Sequence, residues 1–163
     1  MKKAISVLLV LISVVCIFSI SAIAAEQSNT PGLYNTEKIL ETVNGQYDSE
    51  NERGLIISRK LSLSKTSTQL LISATTTGST EVTKCGFTYI KLQRLLNGTW
   101  TDYSTYCYYD QYNNSTTKTF SKYISAPKNY TYRVICEHYA EKPRLVFWTT
   151  SETSYNATPS LAF

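Results

Sequence analysis

Cys136 and His138 are the first pair in this chain that could do chemistry, a thiol two residues from the only imidazole. On an extended strand, positions i and i+2 share a face about 6–7 Å apart, each side chain standing straight out from the sheet. A thiol and an imidazole held that way cannot exchange a proton, so a nucleophile–base dyad fails on geometry. As metal ligands they would need Cys85 or Cys107 beside them, and no C-x-x-C or H-x-x-x-H spacing supports that. No metal and no other cofactor is expected. Cys136 reads as a small core residue next to Val134, and His138 as the point where the strand leaves the core. Carboxylates after Glu52 are few: Glu81, Asp102, Asp110, Glu137, Glu141 and Glu152. None sits in a motif that demands it, and G-x-S-x-G, H-E-x-x-H and glycine-rich phosphate loops do not occur. The expectation is a protein that is not an enzyme.

A binding surface is better supported. Asn97-Gly98 separates two strand-like runs, and both residues tolerate positive φ, so a two-residue type I′ turn is expected between them. Pairing Leu96 with Thr99 then sets a register. Leu92 would face Tyr103, Ile90 would face Thr105 and Thr88 would face Cys107 on an inward side. Leu95 with Trp100, Gln93 with Asp102, Lys91 with Ser104, Tyr89 with Tyr106 and Phe87 with Tyr108 would form the outer side. The candidate ligand-binding residues are therefore Tyr89, Lys91, Gln93, Trp100, Asp102, Tyr106 and Tyr108, with Tyr109 and Tyr112 able to extend the set. Aromatic rings flanked by Lys, Gln and Asp suit a sugar, because a ring covers the C–H face of a pyranose while polar groups bind its hydroxyls. The plainer reading is that cross-strand aromatic pairs stabilise the sheet by ~0.2–1 kcal/mol each.

The elements that must position these residues are strands. Thr, Ser and Tyr dominate the composition, and all 13 tyrosines lie after residue 25; such side chains fit pleated, half-buried surfaces. Period-two patterning starts at Leu55, with Leu55, Ile57, Leu61 and Leu63 on one side. It continues over 69–76, 84–97, the second arm of the hairpin from 99, 116–124, 130–139 and 145–153. About seven short strands with turns every ~8–12 residues is the pattern of an antiparallel β-sandwich. Ahead of them, 25–54 is a polar leader carrying one candidate short helix over 36–43, with Asn35 as its cap. The sandwich is expected over 55–155 and a C-terminal tail over 156–163.

Met1-Lys2-Lys3, the apolar run that follows and Ala22-Ile23-Ala24 have the three regions of a signal peptide over 1–24. Its removal lowers the formal charge from +4 to +2. No later apolar run approaches the ~20 residues of a membrane helix, and basic residues are scattered, so neither a membrane nor nucleic acid is expected as partner. A secreted, extracellular product follows. It keeps Cys85, Cys107 and Cys136 in an oxidising compartment. One bridge with a free thiol and three reduced thiols are both open; Cys85–Cys107 is the preferred pair, and it requires a bulge that shifts the hairpin register.

The run Tyr130-Thr131-Tyr132-Arg133-Val134-Ile135-Cys136 resembles the penultimate strand of fibronectin type III and other immunoglobulin-like domains. The resemblance implies a tyrosine at the strand entrance bonded back to the preceding corner at Ala126-Pro127. The fuller pattern Tyr130, Tyr132, Arg133, Val134, Cys136, His138 and Ala140 is similar to a strand of small secreted proteins from clostridia-like bacteria. That family carries no assigned activity, so the resemblance implies a fold and an address only. Together these features suggest a secreted, non-catalytic binding module for an extracellular or cell-wall glycan. A structural or protein-interaction domain acting through an exposed strand edge is the alternative, and an enzyme is the third choice.

Overall fold

The computed structural model describes residues 38–45, 54–145 and 148–163. Among them the chain forms β1 (Glu41–Asn44), β2 (Ile56–Lys65), β3 (Leu70–Gly78), β4 (Lys84–Leu96), β5 (Thr99–Asn113), β6 (Thr117–Ile124), β7 (Thr131–Leu145), β8 (Trp148–Ala157) and β9 (Leu161–Ala162). Two antiparallel sheets result, β1-β2-β3-β6 and β5-β4-β7-β8, with β9 joined to the start of β7. This is an antiparallel β-sandwich, the chain crossing from one sheet to the other at β3–β4, β5–β6 and β6–β7.

The alternation in each strand explains the packing. Leu61 and Leu63 of β2 and Leu70, Ile72 and Ala74 of β3 face Phe87, Ile90 and Leu92 of β4 and Val134 and Cys136 of β7, all buried in one cluster. Each large side chain removed from water there contributes about 1.5–3 kcal/mol. Tyr132 has no exposed surface, and its phenol donates to the Pro127 carbonyl at 2.7 Å. That bond ties the strand entrance to the corner before it, where Asn129 takes a left-handed φ of 65°.

Four departures from the sequence pattern have identifiable causes. Residues 41–43 of the expected helix, with Asn44 after them, pair instead with β2, Val43 opposite Leu63, because an isolated helix of two turns is marginal while the open β2 edge offers backbone partners. Ile57, expected in the core, is 37% exposed, since a bulge between Ile56 and Ser58 turns Leu55 and Ile56 inward in its place. The tail belongs to the sandwich: Thr158 Oγ1 accepts the Val134 amide at 3.0 Å, the Thr158 amide donates to the Val134 carbonyl, and Leu161 then pairs with Tyr132 and is buried. His138, expected at the core's margin, is wholly buried.

Candidate functional site

The outer face of the five-stranded sheet holds the candidate site, and the β4–β5 hairpin decides its composition. The turn at Asn97 and Gly98 has φ of 50° and 80°, as a type I′ turn requires. From it the expected register holds through Leu96–Thr99, Leu95–Trp100 and Gln93–Asp102. Beyond Gln93 the ladder breaks and resumes at Lys91–Cys107, followed by Ile90–Tyr108 and Tyr89–Tyr109. Residues 103–106 are thus accommodated opposite Leu92 alone. An odd number of extra residues on one strand reverses which of its side chains face out.

Tyr106 and Tyr108 are corrected by that reversal. Tyr108 points into the sandwich against Phe120 of the other sheet, ring centroids 4.9 Å apart. Tyr106 packs on the core and donates to the Ser125 carbonyl at 2.9 Å. Tyr109 takes the outward place opposite Tyr89. The preferred Cys85–Cys107 bridge is also not made: Cys85 lies opposite Asn113 and Cys107 opposite Lys91. The bulge adds residues to β5 and so carries Cys107 away from Cys85, about 20 Å along the ladder. Cys85, Cys107 and Cys136 are free thiols. Burial pushes each thiol pKa up, Cys136 most of all, which disfavours the reactive thiolate.

The other predicted residues come together. Lys91 Nζ bonds Asp102 Oδ2 at 3.0 Å, Gln93 Nε2 donates to Asp102 Oδ1 at 2.7 Å, and Arg133 Nε donates to Gln93 Oε1 at 2.8 Å. The Arg133 guanidinium lies over the Trp100 ring at 4.5 Å, a cation–π contact. The bond from Gln93 and then that from Lys91 hold the Asp102 carboxyl below its ordinary range, and the same pairing raises Lys91. Trp100 thereby anchors Arg133. Lys91 also reaches over Tyr89 and Tyr109, 5.1 and 5.6 Å from their centroids.

Beside this network runs a row that crosses all four long strands. Tyr109 pairs with Tyr89, Tyr89 with Glu137 and Glu137 with Tyr155, so all four side chains share the outer face. The row spans three strand spacings, about 14 Å. Tyr109 and Tyr155 are 53% and 55% exposed. Burial, then the nearby Glu137 carboxylate, raise the Tyr89 phenol, which stays a neutral donor. In the next row Gly86 stands between Tyr112 and Tyr139, whose rings close over it at 5.0 Å with Lys84 Nζ 4.7 Å above Tyr112. Glu137, Tyr139, Arg133 and Tyr155 were absent from the sequence-based set. Their alternation with buried Tyr132, Val134, Cys136 and His138 marks the β7 members as outward, but only the sheet order places β7 beside the hairpin and β8 beyond it.

Two other places are chemically poorer. Among the described residues no three His, Cys, Asp or Glu side chains gather as a metal site. A depression of about 630 Å³ lies against the opposite sheet, lined by Asn44, Gly45, Lys60, Leu61, Ser62, Ser73 and Thr75, with no aromatic ring. Compared with known protein-family models, curated proteins and solved structures, the chain matches none.

Proposed function

We propose that this protein is a secreted, non-catalytic binding module that takes an extracellular or cell-wall glycan on the outer face of its five-stranded sheet. The observation that carries the reading is the Tyr109–Tyr89–Glu137–Tyr155 row, exposed at both ends and flanked by the Lys91–Asp102–Gln93–Arg133 network. Rings at the row's ends can cover the apolar faces of sugars while amide, ammonium and carboxylate groups bind hydroxyls. A row of about 14 Å suits several linked sugar units rather than a single ring. The signal-peptide pattern over 1–24 and the resemblance of the Tyr130 to Ala140 strand to small secreted proteins support the extracellular address.

The test is a pull-down on insoluble cell-wall and plant polysaccharides, with a Tyr89→Ala, Tyr109→Ala double variant beside the wild type. Retention of the wild type on one polymer, weakened about tenfold or more in the folded variant, is the expected result; that corresponds to about 1.4 kcal/mol. If the wild type is retained by nothing, the glycan reading falls and the tyrosines are sheet scaffolding.

A further inference from the structure

The charges on the outer face are unequally committed. Lys91 is paired with Asp102, Arg133 with Gln93 and Trp100, and Lys84 lies over Tyr112. Glu141 accepts the Tyr139 hydroxyl. Glu137, at the third position of the tyrosine row, has neither a hydrogen bond nor an ion pair among the described residues, and a tyrosine stands next to it on each neighbouring strand. Within the tyrosine row Glu137 is the one charged residue, so the charge at that point is negative; Lys91 already lies over Tyr89, and the exposed Tyr155 ring offers its electron-rich face to a cation. A neutral sugar would leave that carboxylate half-dehydrated without a counter-charge, and an anionic one would add repulsion.

We propose that the preferred ligand is an amino-sugar polymer bearing free, protonated amines, with an ammonium group seated on Glu137 between Tyr89 and Tyr155. This rests on the glycan reading above and narrows it. A ring on Tyr155 or Tyr109 supplies the apolar contact, and the ammonium of that unit or its neighbour reaches the carboxylate as a charge-assisted hydrogen bond. Without the two lysines of residues 1–24 the chain has a formal charge of +2. Its general field therefore repels a polycation, and a preference for one has to arise locally.

The experiment compares binding of the purified protein to chitosan, to the same chitosan after N-acetylation, and to cellulose. Wild type is set beside Glu137→Gln and beside Glu81→Gln, a carboxylate away from this face that pairs with Lys142. Tighter binding to chitosan than to its acetylated form by about tenfold or more, lost in Glu137→Gln and kept in Glu81→Gln, is the expected result. Equal or better binding to acetylated chitosan or cellulose overturns the amine preference and leaves the glycan reading standing. A chitosan preference that survives Glu137→Gln in a variant with unchanged unfolding temperature overturns the assignment to Glu137. Binding to none of the three polymers, nor to any in the wider panel, overturns the glycan reading itself.

Discussion

His138 has no exposed surface, and burial, followed by repulsion from Arg59, lowers its pKa to about 4. The Thr76 hydroxyl donates to the Gly86 carbonyl at 2.9 Å, so it accepts from His138 Nδ1 at 2.8 Å. That assigns the proton to Nδ1 and leaves Nε2 a lone pair with no partner among the described residues. Protonating Nε2 would bury a charge with nothing to receive it. Above the ordinary histidine pKa both folded and unfolded chains are neutral at this site, and it costs nothing. Between pH ~6.5 and ~4 the unfolded chain takes up a proton that the folded one refuses, so stability falls as the pH drops, by up to ~1.4 kcal/mol per unit and about 3 kcal/mol in all. Urea unfolding across that window should show the slope in the wild type and a flatter profile in His138→Gln, whose amide can still donate to Thr76. Equal profiles would mean that the ring is not held neutral by the fold.

At the scale of the element, the β4–β5 hairpin contains two glycines required for different reasons. Gly98 has φ +80° and nothing within 4 Å of an added Cβ, so Gly98→Ala meets only left-handed backbone strain and should cost about 1–2 kcal/mol. At Gly86 an added Cβ would stand 2.2 Å from the Gln111 carbonyl oxygen and 2.7 Å from Tyr112 Cα. Neither is the end of a flexible side chain, so the β4–β5 ladder itself must move. Gly86→Ala should cost about 2–4 kcal/mol and also part the Tyr112 and Tyr139 rings that close over that position. Chemical denaturation of the two variants checks the order; a milder effect at Gly86 than at Gly98 would contradict the close approach. The bulge on the same hairpin sets the binding face, because it sends Tyr109 outward and brings Tyr108 in against Phe120.

For the whole molecule, closure of the sandwich depends on the last residues of the chain. Leu161 is buried in the central cluster, Phe163 packs on Tyr132 with ring centroids 6.5 Å apart, and the Asn129 amide donates to the Phe163 carbonyl. Leu161→Ala should therefore destabilise the protein by about 2–5 kcal/mol, the range for deleting a buried leucine, with a matching fall in unfolding temperature. A change within ~0.5 kcal/mol would instead place the tail outside the cooperative fold. The corner bond of Tyr132 and the clamp at Thr158 brace the same end of the sheet. Much of this was legible in the residues themselves. Alternation from Leu55 onward, Asn97-Gly98 and the Tyr132 corner are local signals, and local backbone preference suffices to specify strands, one turn and the hairpin as far as Gln93–Asp102. The ladder beyond Asp102 was not legible, because many registers satisfy a period of two and the choice among them rests on which tyrosine finds Phe120 across the core. The same holds for β1 and β9, whose few residues become strands only where β2 and β7 offer unpaired backbone. The sequence by itself determined an antiparallel sandwich with a tyrosine-rich hairpin; tertiary packing decided which tyrosines face out, because side-chain direction depends on register, and register is settled by contacts between strands far apart in the chain.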